Sequence, residues 1–586
     1  MTYRNWRKGF QAAGLLILEI FTGCNSGSSP DGTRGPAPNL HNPRLNGSFI
    51  QSYLSTSFND GQWRTEFKCM KAAGVDDLFV QSTMDSKTMV AIYPSRLSGV
   101  SMTRDVIGPC LSAAKVAGAG VYLGLQSNDD WWMNSAWDPV WLDNEANISN
   151  LLADDLQRQY GASPAFKGWY IWFEVDNVNE PTSAEWDTLA AYFKKVCDHL
   201  HTLTPGKKVV IAPFYNSSPD AGGMTPDGWQ AMWEYILAKA PIDVIALQDG
   251  IGAGNATTSD LPAWFGATQA AAALRNGACE LWADTENFHI DDNSPMSIGE
   301  LVADMKAVQP YVSRYLSFSF NHYTSPQVVN PFYFATYLDY VMTGGVENAP
   351  PGVPANLVGA AVDSSTIHLN WLVPQDNIGV VGYVLYRDGV GRRLNSIAAQ
   401  VDDFSLDSGT TYQYQISAFD AAGNESALAG PITVQTPVDP VYPTNLALGK
   451  SYTISPPPGP DYPDDGVKLT DGLNGTSDWS NGAWVGSLVP SYSILVDLGK
   501  VQTINEVNST WLQDQSSYIF FPDSVAYFVS ENGVDFTSLG TVSHPTSPSF
   551  SKKCKLTNQN VQGRYVRIDV QSSGWSFVDE VEVRQP

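Results

Sequence analysis

Two glutamates stand out by type and setting. Glu174 sits in the run GWYIWFEVDNVNEP directly after Trp172 and Phe173, and Glu286 lies in LWADTENF. A carboxyl at the end of an apolar run is held partly out of water, so it keeps a proton to higher pH than usual. Such a pair can split a glycosidic bond. One group protonates the leaving oxygen, and the other attacks the anomeric carbon or activates a water. Two neighbours compete for the acid role. Glu180 stands in Asn179-Glu180-Pro181, and Asp176 would suit the wider carboxyl separation of an inverting pair. Pro181 and the polar residues after it read as the start of a helix, EWDTLAAYFKKV. There Glu180 would favour the helix N-terminus electrostatically, which leaves Glu174 the preferred acid.

The elements that must position these groups repeat along residues 40–345. Short β-rich runs are GSFIQ, DLFVQS, VYLGLQ, GWYIWFE, KVVIAPFYN, DVIALQD, ELWADTENF and YLSFSFNHY. Amphipathic segments such as WRTEFKCMKAAG and GWQAMWEYILAKA separate them. Strand and helix patterns in alternation imply parallel strands with crossover helices, and eight such units fit a (β/α)₈ TIM barrel. An open doubly wound sheet is the alternative, but it usually has fewer strands and no glycine-rich dinucleotide fingerprint is present. A barrel of this kind does its chemistry at the C-terminal ends of the strands. Those ends carry Gln51, Gln81, Gln126, Glu174, Tyr215, Gln248, Asp249, Asp284, Glu286, Asn321 and His322. The expected result is a polar cup over an apolar barrel, with Glu174 and Glu286 facing each other from strands four and seven. The remaining residues would serve as substrate contacts or would orient the glutamates.

The formal charge of −26 makes nucleic acid and anionic membrane surfaces poor partners. The six cysteines, Cys24, Cys69, Cys110, Cys197, Cys279 and Cys554, show no metal-ligand spacing and read mostly as buried thiols. No cofactor is expected for catalysis. At the start, Arg4, Arg7 and Lys8 precede AAGLLILEIF and then Thr22-Gly23-Cys24, the pattern of a signal peptide over residues 1–24. The segment resembles a lipoprotein lipobox with Cys24 as the lipidated residue, although Phe21 and Glu19 depart from that pattern. Residues 25–39 read as a tether. The chain is therefore expected to be an exported monomer, a cell-surface or periplasmic lipoprotein, or else simply secreted, that touches membrane only through its anchor.

The placement of Glu174 and Glu286 resembles the clan of retaining TIM-barrel glycosidases, which implies Glu174 as acid/base and Glu286 as nucleophile. The clan has Asn before its strand-four Glu, where this chain has Phe173. The segments GSFIQSY, GWYIWFEVDN, DVIALQDG and LWADTENF resemble a bacterial family catalogued as a domain of unknown function with glycosyl-hydrolase character. A poly- or oligosaccharide is the implied partner. The other reading is a non-catalytic surface protein that binds glycans, which would have no use for two opposed carboxylates. There is no Gly-x-Ser-x-Gly elbow to support an esterase.

Pro-rich boundaries set off two further modules, 346–437 and 438–586. The first shows short alternating strands with Trp371, Tyr383, Tyr386 and Tyr412, and resembles a fibronectin type III sandwich. The second contains NLALGKSYT, KLTDGLNGTSDWSN, VDLGK, RYVRIDV and DEVEV, and resembles the discoidin (factor five/eight type C) family. That resemblance implies an eight-stranded jelly-roll-like sandwich that binds sugar. It also implies a structural calcium held by Asp471, Thr476, Glu580 and the Lys468 carbonyl, oxygen ligands of the kind calcium prefers. Trp479 and Trp484 are the candidate sugar-stacking rings, and Trp511 could be one or could be core.

Overall fold

The computed structural model describes residues 42–404, 406–438, 442–514, 519–543, 551–557 and 559–586. Cys24, the leader and the tether lie outside the described residues. The chain divides into two compact units. One comprises the residues up to Pro350 with 376–381 and 420–424, and the other the remainder.

The first unit is a near-closed barrel of eight parallel strands. In chain order they are β1 (Gly47–Ile50), β2 (Asp77–Val80), β3 (Gly120–Gly124), β4 (Phe166–Ile171), β5 (Lys208–Ile211), β6 (Val244–Gln248), β7 (Glu280–Glu286) and β8 (Tyr315–Phe318). Each pairs with the next. The Asn46 N–H donates to the Tyr315 carbonyl at 2.7 Å and draws the two ends of the sheet together. The strands are apolar on both faces because helices cover the outside and side chains fill the inside. Phe79 stacks on Tyr122 at 4.2 Å, and Trp282 meets both rings edge-on. Above them Phe49 packs against Tyr170 at 4.9 Å. Gly120 and Gly168 admit this filling. A Cβ on Gly120 would lie 2.1 Å from Asp77 Oδ1, and one on Gly168 would lie 2.5 Å from the Lys208 carbonyl oxygen.

The crossover helices are α1 (Asp60–Ala72), α2 (Ile107–Ala117), α3 (Pro139–Tyr160), α4 (Ser183–Leu203), α5 (Pro226–Leu237), α6 (Leu261–Ala273), α7 (Ile298–Val308) and α8 (Pro331–Thr343). Their starts are written locally. Asn59 with Gln62, Thr182 with Glu185, and Ser297 with Glu300 form capping boxes, and proline occupies the first turn of α3, α5, α6 and α8. No helix of the described residues is long and apolar enough to cross a membrane.

Beyond the barrel the chain forms antiparallel sheets. Strands 355–363, 366–372 and 400–403 form one, and 390–394, 380–387, 411–420 and 429–435 another. Trp371 is buried edge-on to Tyr383 at 4.9 Å, and Tyr412 Oη accepts the Asp407 N–H at 2.7 Å. The last module has two five-stranded sheets rather than the eight strands expected in all. The additions are short pairings of Thr444–Asn445 and Val485–Ser487 onto Ser576–Gln585. Among the described residues the cysteines are buried thiols.

Candidate active site at the barrel mouth

Strand β7 ends at Glu286, which is buried. Its neighbour across the barrel, Glu174, lies three residues beyond β4 and is half-buried. Alternation along β7 points Asp284 and Glu286 the same way, into the mouth. Burial pushes the Glu174 carboxyl up to about 8; a hydrogen bond with Gln248 opposes this, and the charges of Glu286 and Asp176 add to it. Burial likewise raises Glu286 to about 7, opposed by backbone hydrogen bonds from Ala253 and Gly252. The Ala253 N–H lies 2.6 Å from Glu286 Oε2. Gly252 is required for that approach, because a Cβ there would stand 2.6 Å from the Phe288 carbonyl oxygen and 2.9 Å from Glu286 Cβ. The two glutamates thus differ. Burial and like charge push Glu174 upward, whereas Glu286 is the one whose carboxylate oxygen receives backbone amide donors.

Two more buried carboxyls stand behind them. Asp284 is raised well above the usual range by burial and then by the charges of Glu286 and Glu174, and its Oδ1 has no hydrogen-bond partner. Asp249 is raised similarly by burial, Glu286 and Asp304. Its Oδ1 accepts the N–H groups of Glu286 and Ile251, each at 3.2 Å. Asp249 therefore fixes both the backbone of Glu286 and the loop that supplies the amide donors. Gln248 Nε2 donates to the Ala212 carbonyl at 2.8 Å. Tyr215 is buried, stacks on Trp264 at 4.4 Å and donates to the Asp249 carbonyl at 3.2 Å, behind the cup. Gln51 and Gln81 are half-buried just past β1 and β2.

Other expected cup residues point elsewhere. Gln126 turns outward onto α3, where its amide donates to the Glu145 carbonyl (2.9 Å) and to Ser149 Oγ (2.9 Å), so its side chain is withdrawn from the mouth. Asn321 Nδ2 donates to Glu66 Oε1 on α1 at 2.7 Å and ties helix to barrel. Glu180 is fully buried, with Oε1 accepting from Ser135 and Oε2 from the Asp176 N–H at 3.1 Å. The cap of α4 itself is formed by Thr182 and Glu185. Asp176 Oδ1 accepts the N–H groups of Val178 (2.6 Å) and Asn179 (2.7 Å), and so turns the loop after β4.

His322 sits at the rim, where Nε2 accepts the Gln51 N–H at 3.2 Å and Nδ1 is 2.8 Å from Tyr53 Oη. Since Nε2 accepts, the proton of the neutral ring belongs on Nδ1 and is donated to Tyr53. The Tyr53 hydroxyl proton is then available to a ligand. Sequence reasoning missed Tyr53, and also Trp132 and Trp137 in the loop after β3, all exposed. The cluster Trp131-Trp132 and Trp137 next to a strand end was the signal.

On the C-terminal sandwich, Glu580 is buried, its Oε2 accepts the Gly472 N–H at 3.1 Å, and its Oε1 has no partner. Burial raises it to about 8, opposed by that N–H and reinforced by the charges of Asp471, Glu582 and Asp579. Thr476 Oγ1 accepts from Asn481 Nδ2 at 2.9 Å, and Lys468 opens the turn Lys468–Thr470. An orphaned carboxylate oxygen that feels the charge of Asp471 fits a calcium ion. Among the described residues no three acidic, histidine or cysteine side chains converge, so such an ion would draw on carbonyl and hydroxyl oxygens as well. Trp484 is a core side chain, not a surface ring. It is 1% exposed, packs with Leu512, Ile519 and Phe577, and donates to the Thr476 carbonyl. Trp511 is also fully buried. Trp479 is half-buried against Tyr462 at 5.7 Å, and Trp575 joins the same cluster, with its ring 5.4 Å from Tyr462.

Comparison with known proteins agrees with this division. Residues 45–330 match the family described as a domain of unknown function (DUF4434), and residues 459–583 match the F5/8 type C domain. The N-terminal region is thus a DUF4434 domain and the C-terminal sandwich an F5/8 type C, or discoidin, domain. An alpha-amylase of Niallia circulans is 39% identical over 87 residues, 15% of this chain and 7% of that protein. Chitinase Chi52 of Paenibacillus xylanexedens is 39% identical over 90 residues, 15% of this chain and 17% of the chitinase. The chain thus spans under a fifth of either relative. Among solved structures, a Bacteroides thetaiotaomicron protein proposed to be an alpha-L-fucosidase aligns over 54% of this chain and all of its own, at 19% identity and a TM-score of 0.45.

Proposed function

We propose that the barrel is a retaining glycoside hydrolase acting on a poly- or oligosaccharide. The observation that carries this is the carboxyl pair at the mouth, Glu174 past β4, raised by burial, opposite Glu286 at the end of β7, whose Oε2 receives the Ala253 N–H. In the first step Glu174 gives its proton to the glycosidic oxygen as the bond to the anomeric carbon breaks. The Glu286 carboxylate forms an ester with that carbon. In the second, Glu174 takes a proton from water, which attacks the same carbon and releases Glu286. The partial matches to an alpha-amylase and a chitinase support a glycan substrate. The discoidin domain would hold glycan near the barrel and would carry a structural calcium at Glu580, Asp471, Thr476 and the Lys468 carbonyl. The module between would be a fibronectin type III spacer. The leader and Cys24 support export to a cell surface or periplasm, or secretion.

The test is a screen of the purified chain against a polysaccharide panel with product analysis, followed by Glu286→Gln. Turnover should vanish while glycan binding stays within about twofold, and unchanged turnover would remove Glu286 as nucleophile. For calcium, chelation should lower the melting temperature of the discoidin domain, and Glu580→Gln should make that domain insensitive to chelator. A transition that ignores chelator in the unsubstituted chain rules the ion out.

A further inference from the structure

The loop after β3 begins Asp129-Asp130-Trp131-Trp132, and its single helical turn, Trp131–Asn134, sends two adjacent indoles opposite ways. Trp131 is buried against Phe173, with ring centres 5.2 Å apart, and its N–H donates to the Glu174 carbonyl at 2.9 Å. Trp132 is 46% exposed. Its ring lies 6.3 Å from Trp172 and 6.2 Å from Phe214, which follow β4 and β5. Core packing is satisfied by Trp131, and the outward indole instead lies half-exposed in an aromatic patch with Trp172 and Phe214. Its position is also fixed. The Trp131 hydrogen bond ties this turn to the backbone of the proton donor itself. The ring therefore lies at the rim beside Glu174, over the ends of β4 and β5.

We infer that Trp132, backed by Trp172 and Phe214, is a subsite beside Glu174 that takes the C–H face of a pyranose ring other than the one that reacts. The inference rests on the hydrolytic reading above. A pyranose has one flat face of C–H groups, which carry slight positive charge and pack on the negative face of an indole. A second sugar ring held there makes the substrate a chain of at least two sugars, not a single sugar on a small aglycone. The carboxyls alongside favour a neutral or amino sugar over an anionic one.

The experiment compares the unsubstituted full chain with Trp132→Ala and Trp132→Tyr. The probes are cellohexaose, mannohexaose and chitohexaose, each set beside the glycosyl fluoride of its own monosaccharide, which has no second ring to stack. Trp132→Ala should lose at least about tenfold in kcat/KM on a cleaved hexasaccharide, equivalent to about 1.4 kcal/mol, and under about twofold on the fluoride. Trp132→Tyr should recover most of the loss. Equal activity on the hexasaccharide overturns the subsite, and so does an equal loss on the fluoride, which would mark a structural role. If the unsubstituted chain turns over none of the six probes and no member of the polysaccharide panel, the hydrolytic reading fails by itself. Calorimetric titration with the hexasaccharides then decides the subsite. A tenfold weaker affinity in Trp132→Ala supports it, and unchanged affinity or no measurable binding overturns it.

Discussion

The two ends of the barrel treat the same side-chain chemistry in opposite ways. At the N-terminal end Asp77, Asp243 and Glu280 each have a basic side chain as partner. Arg314 donates to Asp77 at 2.7 Å, His201 Nε2 lies 2.8 Å from Asp243, and Lys208 pairs with Glu280. Trp282 adds an N–H to Glu280 at 2.9 Å and lies under the Arg314 guanidinium at 4.7 Å. Burial alone would raise Glu280, but the hydrogen bonds from Lys208 and Trp282 outweigh it and hold the carboxyl below its usual range. At the C-terminal end the charges acting on Glu174, Asp249 and Asp284 are those of other carboxylates, and all three are raised. One strand shows both regimes, since β7 begins at Glu280 and ends at Glu286. Compensated charge secures the closure of the barrel, whereas uncompensated charge is an expense that chemistry explains and stability does not.

Substitutions at the two ends should therefore separate turnover from stability. Glu286→Gln should lower turnover on the order of 10³-fold or more and leave the melting temperature unchanged or higher, since it removes a carboxyl that burial disfavours. Arg314→Met should do the reverse. Asp77 loses its partner, at a cost of about 1–3 kcal/mol, and the barrel should melt several degrees lower with activity per folded molecule within about twofold. Calorimetry and single-turnover rates read the two effects. An Arg314→Met variant as inactive as Glu286→Gln would erase the distinction between the ends.

The pH profile sharpens the mouth itself. Glu174 must be protonated to act, and it is pushed up to about 8, so kcat/KM should fall as pH rises through that value. Glu174→Gln should lose most activity and flatten the alkaline limb. A limb that survives the substitution points to another raised carboxyl, and Glu180, also raised to about 8, is the nearest in sequence. The sign for stability follows the same shift. A carboxyl raised on folding contributes fully below its unfolded pKa and loses that contribution as pH climbs through the folded value. Glu174→Gln should therefore melt higher than the unsubstituted chain at pH 9 and no higher at pH 4.

Much of this was legible in the chain because a barrel strand carries its own signal. All eight apolar runs became strands, and the polar residue that closes each marks the mouth. What could not be read was the direction of a side chain past the end of its strand, where alternation stops. Gln126 and Asn321 occupy strand-end positions yet turn toward α3 and α1, because Glu145, Ser149 and Glu66 wait there as buried partners. Glu180 matched an Asn-Glu-Pro pattern, but tertiary contacts with Ser135 and the Asp176 backbone bury it. Trp484 failed as a surface ring for a related reason. Composition marks an indole as available, and only packing against Gly475 and Phe577 shows it to be spent in the core. Tyr53 and Trp132 were missed because they lie after the strands, on single helical turns too short to show periodicity.

The smallest expected effect compares two histidines at the two ends. His201 faces the Asp243 carboxylate, whereas His322 meets only a backbone N–H and a phenol, and burial pushes it down to about 4. His322 should therefore stay neutral, with its proton on Nδ1, from pH 5.5 to 8, and nitrogen NMR shifts should show no titration in that window. Its task would be to hold Tyr53 with the phenolic proton turned outward. Tyr53→Phe removes that one donor, worth about 0.5–1.5 kcal/mol, so kcat/KM should fall between about two- and tenfold without a change in the alkaline limb set by Glu174. A His322 that titrates near pH 6.5, or a Tyr53→Phe variant with full activity, would confine the uncompensated end of the barrel to its four carboxyls and leave the β1–β8 rim a purely structural seam.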